Sequence, residues 1–387
     1  MQEIEVVAYF ADDVSRIYQL VPWLPVLEVL HAHHPVAVVA RDLDASAQLD
    51  RHTSLPVVVA PSFPALTELY AAFDPKVVLY CNNSMLNFQS LLHTRALHVH
   101  VNHGESDKHS MASNNAKAYD RVFVAGEAAV QRHEATLLEF DTRKLVRIGR
   151  PQLDVPRTSP LPAAPDRRTI LYAPTWEGDA EYNNYTSLDT IGRDVVRAIL
   201  GVPRARLVYK PHPQVAFSRT ASVREAHQDV LALLDEACRR DPAAGHTAFV
   251  EGDILALMPS CDAMVTDVSS VGLDWLYLCT HKPLFLTDRH QDGERLRQEV
   301  PVSRCADVIE RVAGPNGVAA LTALLSARFE HDEHHLARVA MRHFYFDDHE
   351  VGDSTARFLT EVDHLVALRD RLVGETPPEE TSAADIA

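Results

Sequence analysis

The chain has 387 residues, 54 acidic against 37 basic side chains, and a formal net charge of −17 at pH 7. A surface this acidic repels phosphate backbones and anionic headgroups, which excludes a general nucleic-acid or membrane-surface binder and leaves room only for a local basic cleft. With 46% hydrophobic and 24% charged residues the composition is that of an ordinary globular protein, and at about 100–200 residues per domain the length predicts two domains.

Short apolar runs recur along the first half: Ile4–Phe10, Val36–Ala40, Pro56–Ala60, Lys76–Cys81, Leu97–Val101, Arg121–Ala125 and Leu145–Ile148. They are continuous rather than alternating, as expected of strands in a parallel sheet covered on both faces. Helical spacing fills the intervals; Glu127–Phe140 is one such stretch, and another is expected from Met111. Pro151–Arg168 holds five prolines and neither period, so it reads as a linker. Strands resume at Thr169–Ala173, Arg206–Lys210, Ala248–Glu251, Ala263–Thr266 and Pro283–Thr287. Ser354–Leu372 has the stripe of an amphipathic helix, with Arg369 as its one charged break, and Glu375–Ala387 is acidic and reads as disordered. The expected architecture is α/β: two doubly wound, Rossmann-like domains facing across a cleft, spanning 1–150 and 169–345 on either side of a linker at 151–168. A helix at 346–373 packs back on the cleft or the first domain, and a disordered tail occupies 374–387.

The N-terminus has no basic region followed by an apolar stretch, no run approaches the ~18–20 apolar residues of a membrane span, and the five cysteines form no CxxC pair. These features predict a cytoplasmic protein without disulfides. The 21 histidines outnumber the 14 glycines but include no HExxH and no zinc spacing, so no metal and no cofactor is expected.

Ligands in open α/β sheets bind beyond the carboxyl ends of strands, which selects four loops. In Val99–Lys108, His103 follows a strand end, where a neutral imidazole can take a proton from a hydroxyl, and Gly104 lets the backbone approach a ligand closely. His100, still within the strand, reads as packed. In Ile170–Trp176, Pro174 stops the strand and Thr175 can cap a helix or bond a phosphate oxygen. In Leu207–Pro213, prolines on both sides of His212 limit its backbone, and Lys210 shares its face; a protonated imidazole beside a lysine suits a diphosphate. In Ala263–Asp274, Thr266-Asp267 ends a strand, and Ser269, Ser270 and Gly272 open a helix whose free N–H groups favour an anion. No GxxxxGK[ST] and no GxGxxG is present.

In this order the motifs HGxSDK, YAPTW, KPHP and TDxSSxGxD resemble the CDP-glycerol glycerophosphotransferase family, the teichoic-acid primases and polymerases and their capsule-building relatives. The resemblance runs from Leu97 to Thr287, with a fainter echo at Asp347–Arg357; Gly-Glu-Ser-Asp-Lys stands where better-known members have Gly-Thr-Pro-x-Lys. It implies a GT-B fold, an acceptor-side first domain and a donor-side second one. It also implies transfer of glycerol phosphate from a CDP-glycerol donor to a hydroxyl of a glycan or lipid-linked acceptor, with release of CMP, by an enzyme in the cytoplasm or at the inner membrane face. His103 would be the general base, His212 would steady or protonate the leaving side, and Lys210 would add a fixed charge. Gly104, Ser106, Lys108, Thr175, Thr266, Asp267, Ser269 and Ser270 would bind the donor, and Arg357 would close on its phosphates. Two other readings share this architecture: a nucleotide-sugar glycosyltransferase or epimerase, against which the missing Glu-x7-Glu counts, and an inactive nucleotide-binding scaffold, against which the two histidine motifs count.

Overall fold

The computed structural model describes residues 4–108, 111–178 and 180–374. Seven strands build the first sheet: β1 (Val6–Phe10), β2 (Val36–Ala40), β3 (Val57–Val59), β4 (Val77–Tyr80), β5 (Leu97–His100), β6 (Arg121–Val124) and β7 (Leu145–Arg147). Six build the second: β8 (Arg168–Ala173), β9 (Ala205–Tyr209), β10 (Thr247–Ala248), β11 (Ala263–Thr266), β12 (Leu284–Thr287) and β13 (Asp307–Ile309). Strand orders are 3-2-1-4-5-6-7 and 10-9-8-11-12-13, every pairing parallel, with Val6 opposite Val36 and Ile170 opposite Ala263. Each order reverses once, beside β1 and beside β8, the signature of a doubly wound sheet.

The continuous apolar runs follow from burial on both faces. Val6, Ala8 and Phe10 enter one core of the first sheet while Val7 and Tyr9 enter the other. Ile170 and Tyr172 divide from Leu171 and Ala173 in the same way across the second sheet. Such strands cannot alternate in polarity, because neither face meets water.

Several local expectations are corrected. The helix from Glu127 stops at Thr136, because Leu137 turns extended and Glu139 takes a positive φ of 50°. The stretch after Met111 makes only a short turn, Asn114–Ala118. The proline-rich segment opens on a helical turn, Pro151–Asp154, where proline fits the first position. The strand expected at Ala248–Glu251 is the short β10, and β13 was not foreseen. The tail from Glu375 to Ala387 lies outside the described residues.

The second-half helix His335–Phe346 packs Tyr345 and Phe346 beside Ala125 and Ala128 of the first half. Gly126 permits this approach, since a Cβ there would lie 2.5 Å from the Tyr345 carbonyl oxygen. The last helix, Asp353–Val373, returns to the first half, burying Phe358, Val362, Leu365 and Val366 in its core, with Phe358 against Trp23 and Phe123. Charges fix it there: Lys76 pairs with Asp370 at 2.8 Å, His34 with Asp363 at 2.7 Å, and Arg369 with Asp74 at 2.5 Å. Among the described residues no helix is long and apolar enough to cross a membrane.

Candidate active site

The loop after β5 is pinned before it reaches the cleft. Asn102 takes a positive φ of 55°, which asparagine tolerates, and its carbonyl accepts from Trp23 Nε1 at 2.6 Å. His103 follows, its Nδ1 3.3 Å from the Cys81 carbonyl oxygen. That carbonyl can only accept, so Nδ1 carries the proton and Nε2 the lone pair. Burial pushes the imidazole down to about 4, and the charges of Arg150, Arg16 and Lys108 push the same way against the Cys81 hydrogen bond. His103 is therefore neutral near pH 7. His100 is buried in the strand, as expected.

Gly104 touches the other half of the molecule: a Cβ there would lie 3.1 Å from Ser270 Cβ. Beyond it the loop is held by charge. Arg132 Nη1 donates to Glu105 at 2.5 Å and Nη2 to Asp107 at 3.1 Å. Tyr345 Oη donates to Asp107 at 2.5 Å while accepting from the Val302 N–H at 3.0 Å. Ser106 Oγ accepts from the Lys108 N–H at 3.1 Å, a turn contact that uses the oxygen expected to meet the donor. Burial brings the Lys108 ammonium down to about 8, with Asp267 opposing, and the group sits 5.8 Å from the Tyr185 ring centroid.

The loop after β9 supplies the second imidazole. The His212 N–H donates to the Pro174 carbonyl at 3.0 Å, and its Nδ1 accepts from the Gln214 N–H at 3.1 Å. The ring hydrogen is thus on Nε2, the opposite tautomer from His103. Trp176 stacks on His212 with ring centroids 6.0 Å apart. Burial, then Lys108, Lys210 and His103, push His212 down to about 3. The expected protonated imidazole is corrected: burial and the charges of Lys108 and Lys210 disfavour the cation, so His212 is neutral near pH 7. Lys210 is buried, and its Nζ lies 3.4 and 3.5 Å from the carbonyls of Pro211 and Val250.

Tyr18 joins the two loops. Its ring stands edge-on to His103 at 6.4 Å and to His212 at 5.3 Å between centroids. It lies on the turn Val14–Gln19 after β1, where Asp13 caps the Ser15 N–H at 2.8 Å, and Gln214 Nε2 reaches across to the Ser15 carbonyl at 2.9 Å. Sequence reasoning passed over Tyr18, Arg132, Tyr345 and Arg150. The carboxyl-end rule points to the β1 loop as surely as to the β5 loop, but the other three become visible only in three dimensions.

Two residues expected to meet the donor are engaged within the fold. Asp267 is wholly buried and accepts from Thr175 N–H at 2.7 Å, Ser187 N–H at 3.2 Å and Thr287 Oγ1 at 2.5 Å. Thr266 Oγ1 donates to the Ala173 carbonyl at 2.7 Å. Both side chains brace the strand ends, and Thr175 is held by the same brace. Ser269 and Ser270 remain at the start of the helix Ser270–Leu278, half-buried, with the Ser269 hydroxyl unpartnered. Arg357 is exposed on the last helix, where its charge acts on His349.

Among the described residues no group of three or more His, Cys, Asp or Glu is placed to hold a metal ion. No curated protein matches the sequence. Solved structures do. The wall teichoic acid polymerase TagF is 13% identical with a TM-score of 0.56, over 95% of this chain and 90% of that one. A glycosyltransferase from Rickettsia africae ESF-5 is 14% identical with a TM-score of 0.52, over 95% and 99%. A UDP-N-acetylglucosamine 2-epimerase is 12% identical with a TM-score of 0.56, over 97% and 99%. At such identities the likeness establishes the GT-B fold alone. The family model for CDP-glycerol:poly(glycerophosphate) glycerophosphotransferase matches residues 89–293, a span of more than half the chain that contains both imidazoles, and the chain belongs to that family.

Proposed function

We propose that the chain moves glycerol phosphate from CDP-glycerol to a hydroxyl of a cell-wall or capsular, teichoic-type acceptor and releases CMP. The acceptor oxygen attacks the phosphorus that carries glycerol, the bond from that phosphorus to the bridging oxygen breaks, and the electron pair leaves on CMP. His103 takes the acceptor's proton on Nε2, and His212 steadies the departing oxygen with a hydrogen bond from its Nε2–H while keeping the proton, since a neutral imidazole that lost it would become an imidazolate. Lys108, felt by both imidazoles, stands at the transferred phosphoryl group, and Lys210 on the leaving side. Ser269, Ser270 and the helix N–H groups behind them bind the diphosphate. In-line transfer needs mainly positioning and charge, so no covalent intermediate enters. The half up to residue 150 thus handles the acceptor and the half from 169 the donor, working in the cytoplasm or against the inner membrane face, where a lipid-linked acceptor would be presented.

One observation carries the reading: two neutral imidazoles from different halves meet one phenol ring with opposite tautomers, one ready to accept a proton and the other to offer a hydrogen bond. The test is to offer CDP-glycerol, CDP-ribitol and UDP-sugars in parallel and measure CMP and UDP release. CMP from CDP-glycerol is expected, falling by about 10²–10⁴-fold in His103→Ala. UDP release, or full activity in His103→Ala, would refute the proposal.

A further inference from the structure

The His212 imidazole is held by neighbours from both halves. From its own half, the Gln214 N–H donates to its Nδ1 at 3.1 Å, and Trp176 lies along the ring at 6.0 Å and 20°. From the first half comes Tyr18, whose ring stands at 86° and 5.3 Å from His212 and at 90° and 6.4 Å from His103. Aromatic rings in this edge-to-face geometry, with centroids within about 7 Å, attract one another, so turning either one costs energy. A phenol from one half thus limits the swing of an imidazole from the other.

The turn that carries Tyr18 is tied at both ends. Asn82 Nδ2 donates to Asp12 Oδ2 and to Gln19 Oε1, each at 2.9 Å, so one amide clasps the entry and the exit of the turn Val14–Gln19. Asn82 and Gln19 are buried, and Asn82 directly follows Cys81, whose carbonyl orients His103. On the far side Gln214 Nε2 donates to the Ser15 carbonyl at 2.9 Å, while the N–H of the same residue fixes His212. A continuous chain of contacts runs from one imidazole to the other: His103, Cys81 and Asn82, the turn, Gln214, His212. Tyr18 and Asn82 precede the span matched by the family model, which begins at residue 89.

We propose that Tyr18 is a positioning residue for the transfer: its ring, held by the turn Val14–Gln19, sets the spacing and aim of the two imidazoles across the cleft and keeps water from between them. This rests on the transfer reaction proposed above and adds a part to it. The acceptor oxygen, the phosphorus and the departing oxygen must lie in line between His103 and His212, and a misplacement of about 1 Å costs on the order of 100-fold in rate. Tyr18 itself neither gives nor takes a proton.

CMP release from CDP-glycerol is measured for Tyr18→Ala, Tyr18→Phe and Gln214→Ala. Tyr18→Ala should lower kcat by about 10–100-fold with the KM for CDP-glycerol nearly unchanged, and Tyr18→Phe, which returns the ring, should recover most of the rate. Gln214→Ala keeps the N–H on His212 and loses the tie to Ser15. It should lower kcat in the same sense, and joined to Tyr18→Ala it should cost less than the two separate losses combined, because both act through one bridge. The pH profile gives a second readout. Burial is the main force against charge on both imidazoles; Arg150, Arg16 and Lys108 add to it at His103, and Lys108 and Lys210 at His212. Admitting water in Tyr18→Ala weakens the burial effect, so the acid limb of kcat/KM, set by His103 at about 4, should rise by about one pH unit and stay in place in Tyr18→Phe. Full kcat in Tyr18→Ala, equal losses in Tyr18→Ala and Tyr18→Phe, or strictly additive losses with Gln214→Ala would each overturn the proposal. Failure of the transfer reaction reads differently, as no CMP from the unaltered chain. The positioning role is then still read without turnover: in 15N imidazole titrations of the ligand-free chain, His103 and His212 should take up protons at higher pH in Tyr18→Ala than in Tyr18→Phe, and identical titrations would overturn it.

Discussion

Arg132→Met tests whether buried charge holds the catalytic loop. The guanidinium is 15% exposed, and its partners Glu105 and Asp107 are 6% and 3% exposed. Removing the cation strands two carboxylates in a dry interface, which costs about 3–5 kcal/mol. At about 2.1 cal/mol/K of unfolding entropy per residue, 387 residues give about 0.8 kcal/mol/K, so Tm should drop by roughly 4–6 °C. Burial pushes the Asp107 carboxyl up despite Arg132, so Asp107 gains less from the cation than its desolvation costs. Asp107→Asn should therefore cost only about 1–2 kcal/mol, and adding Glu105→Gln and Asp107→Asn to Arg132→Met should recover much of the loss. The assay is differential scanning calorimetry of the four proteins. A Tm for Arg132→Met within about 1 °C of the unaltered chain would refute the reasoning, as would no recovery in the triple variant.

Lys108 titrates at about 8, so turnover should fall as pH rises through that value and the cation is lost; Lys108→Arg should move this limb to higher pH, read from a kcat/KM profile. Gly104→Ala brings a Cβ to 3.1 Å from Ser270 Cβ and should cut kcat at least about tenfold by spreading the two loops; an unchanged kcat in a steady-state CMP-release assay would contradict this. Phe358→Ala should cost about 3–5 kcal/mol in urea unfolding and expose the last helix to protease. The His34 pKa is raised, first by its hydrogen bond to Glu5 and then by Asp363, so its contribution is complete below about 6.5 and vanishes as pH climbs through the raised value. A Tm decline from pH 6 to 8.5 that persists unchanged in His34→Gln would contradict this.

The strands were legible because burial on both faces leaves a continuous apolar run, and the loops were legible because glycine, proline and histidine cluster at strand ends. β13 escaped notice because Asp307, which pairs with Arg328 at 2.7 Å, breaks the apolar run of a short edge strand. In sequence, a polar pair at a strand end such as Thr266-Asp267 looks the same whether it faces a cleft or braces three loops; burial depth is not written in the residue types. Arg369 looked like a flaw in an apolar stripe and is a buried partner of Asp74, a pairing between positions that lie hundreds of residues apart. Tyr18, in the loop after β1, obeys the same carboxyl-end rule that selects His103.

The polypeptide passes between its halves twice, once after β7 and again before the last helix, and the two passages are bonded to each other. Arg150 N–H donates to Ser354 Oγ at 3.0 Å, and the Gly352 and Thr355 N–H groups donate to Asp154 at 2.8 and 2.7 Å. A body hung on a single strap can swivel freely, whereas one hung on two stitched straps swings like a door about a fixed line. The seam at residues 150–154 is therefore a double one, and cutting either strap alone would leave the other still tied across it.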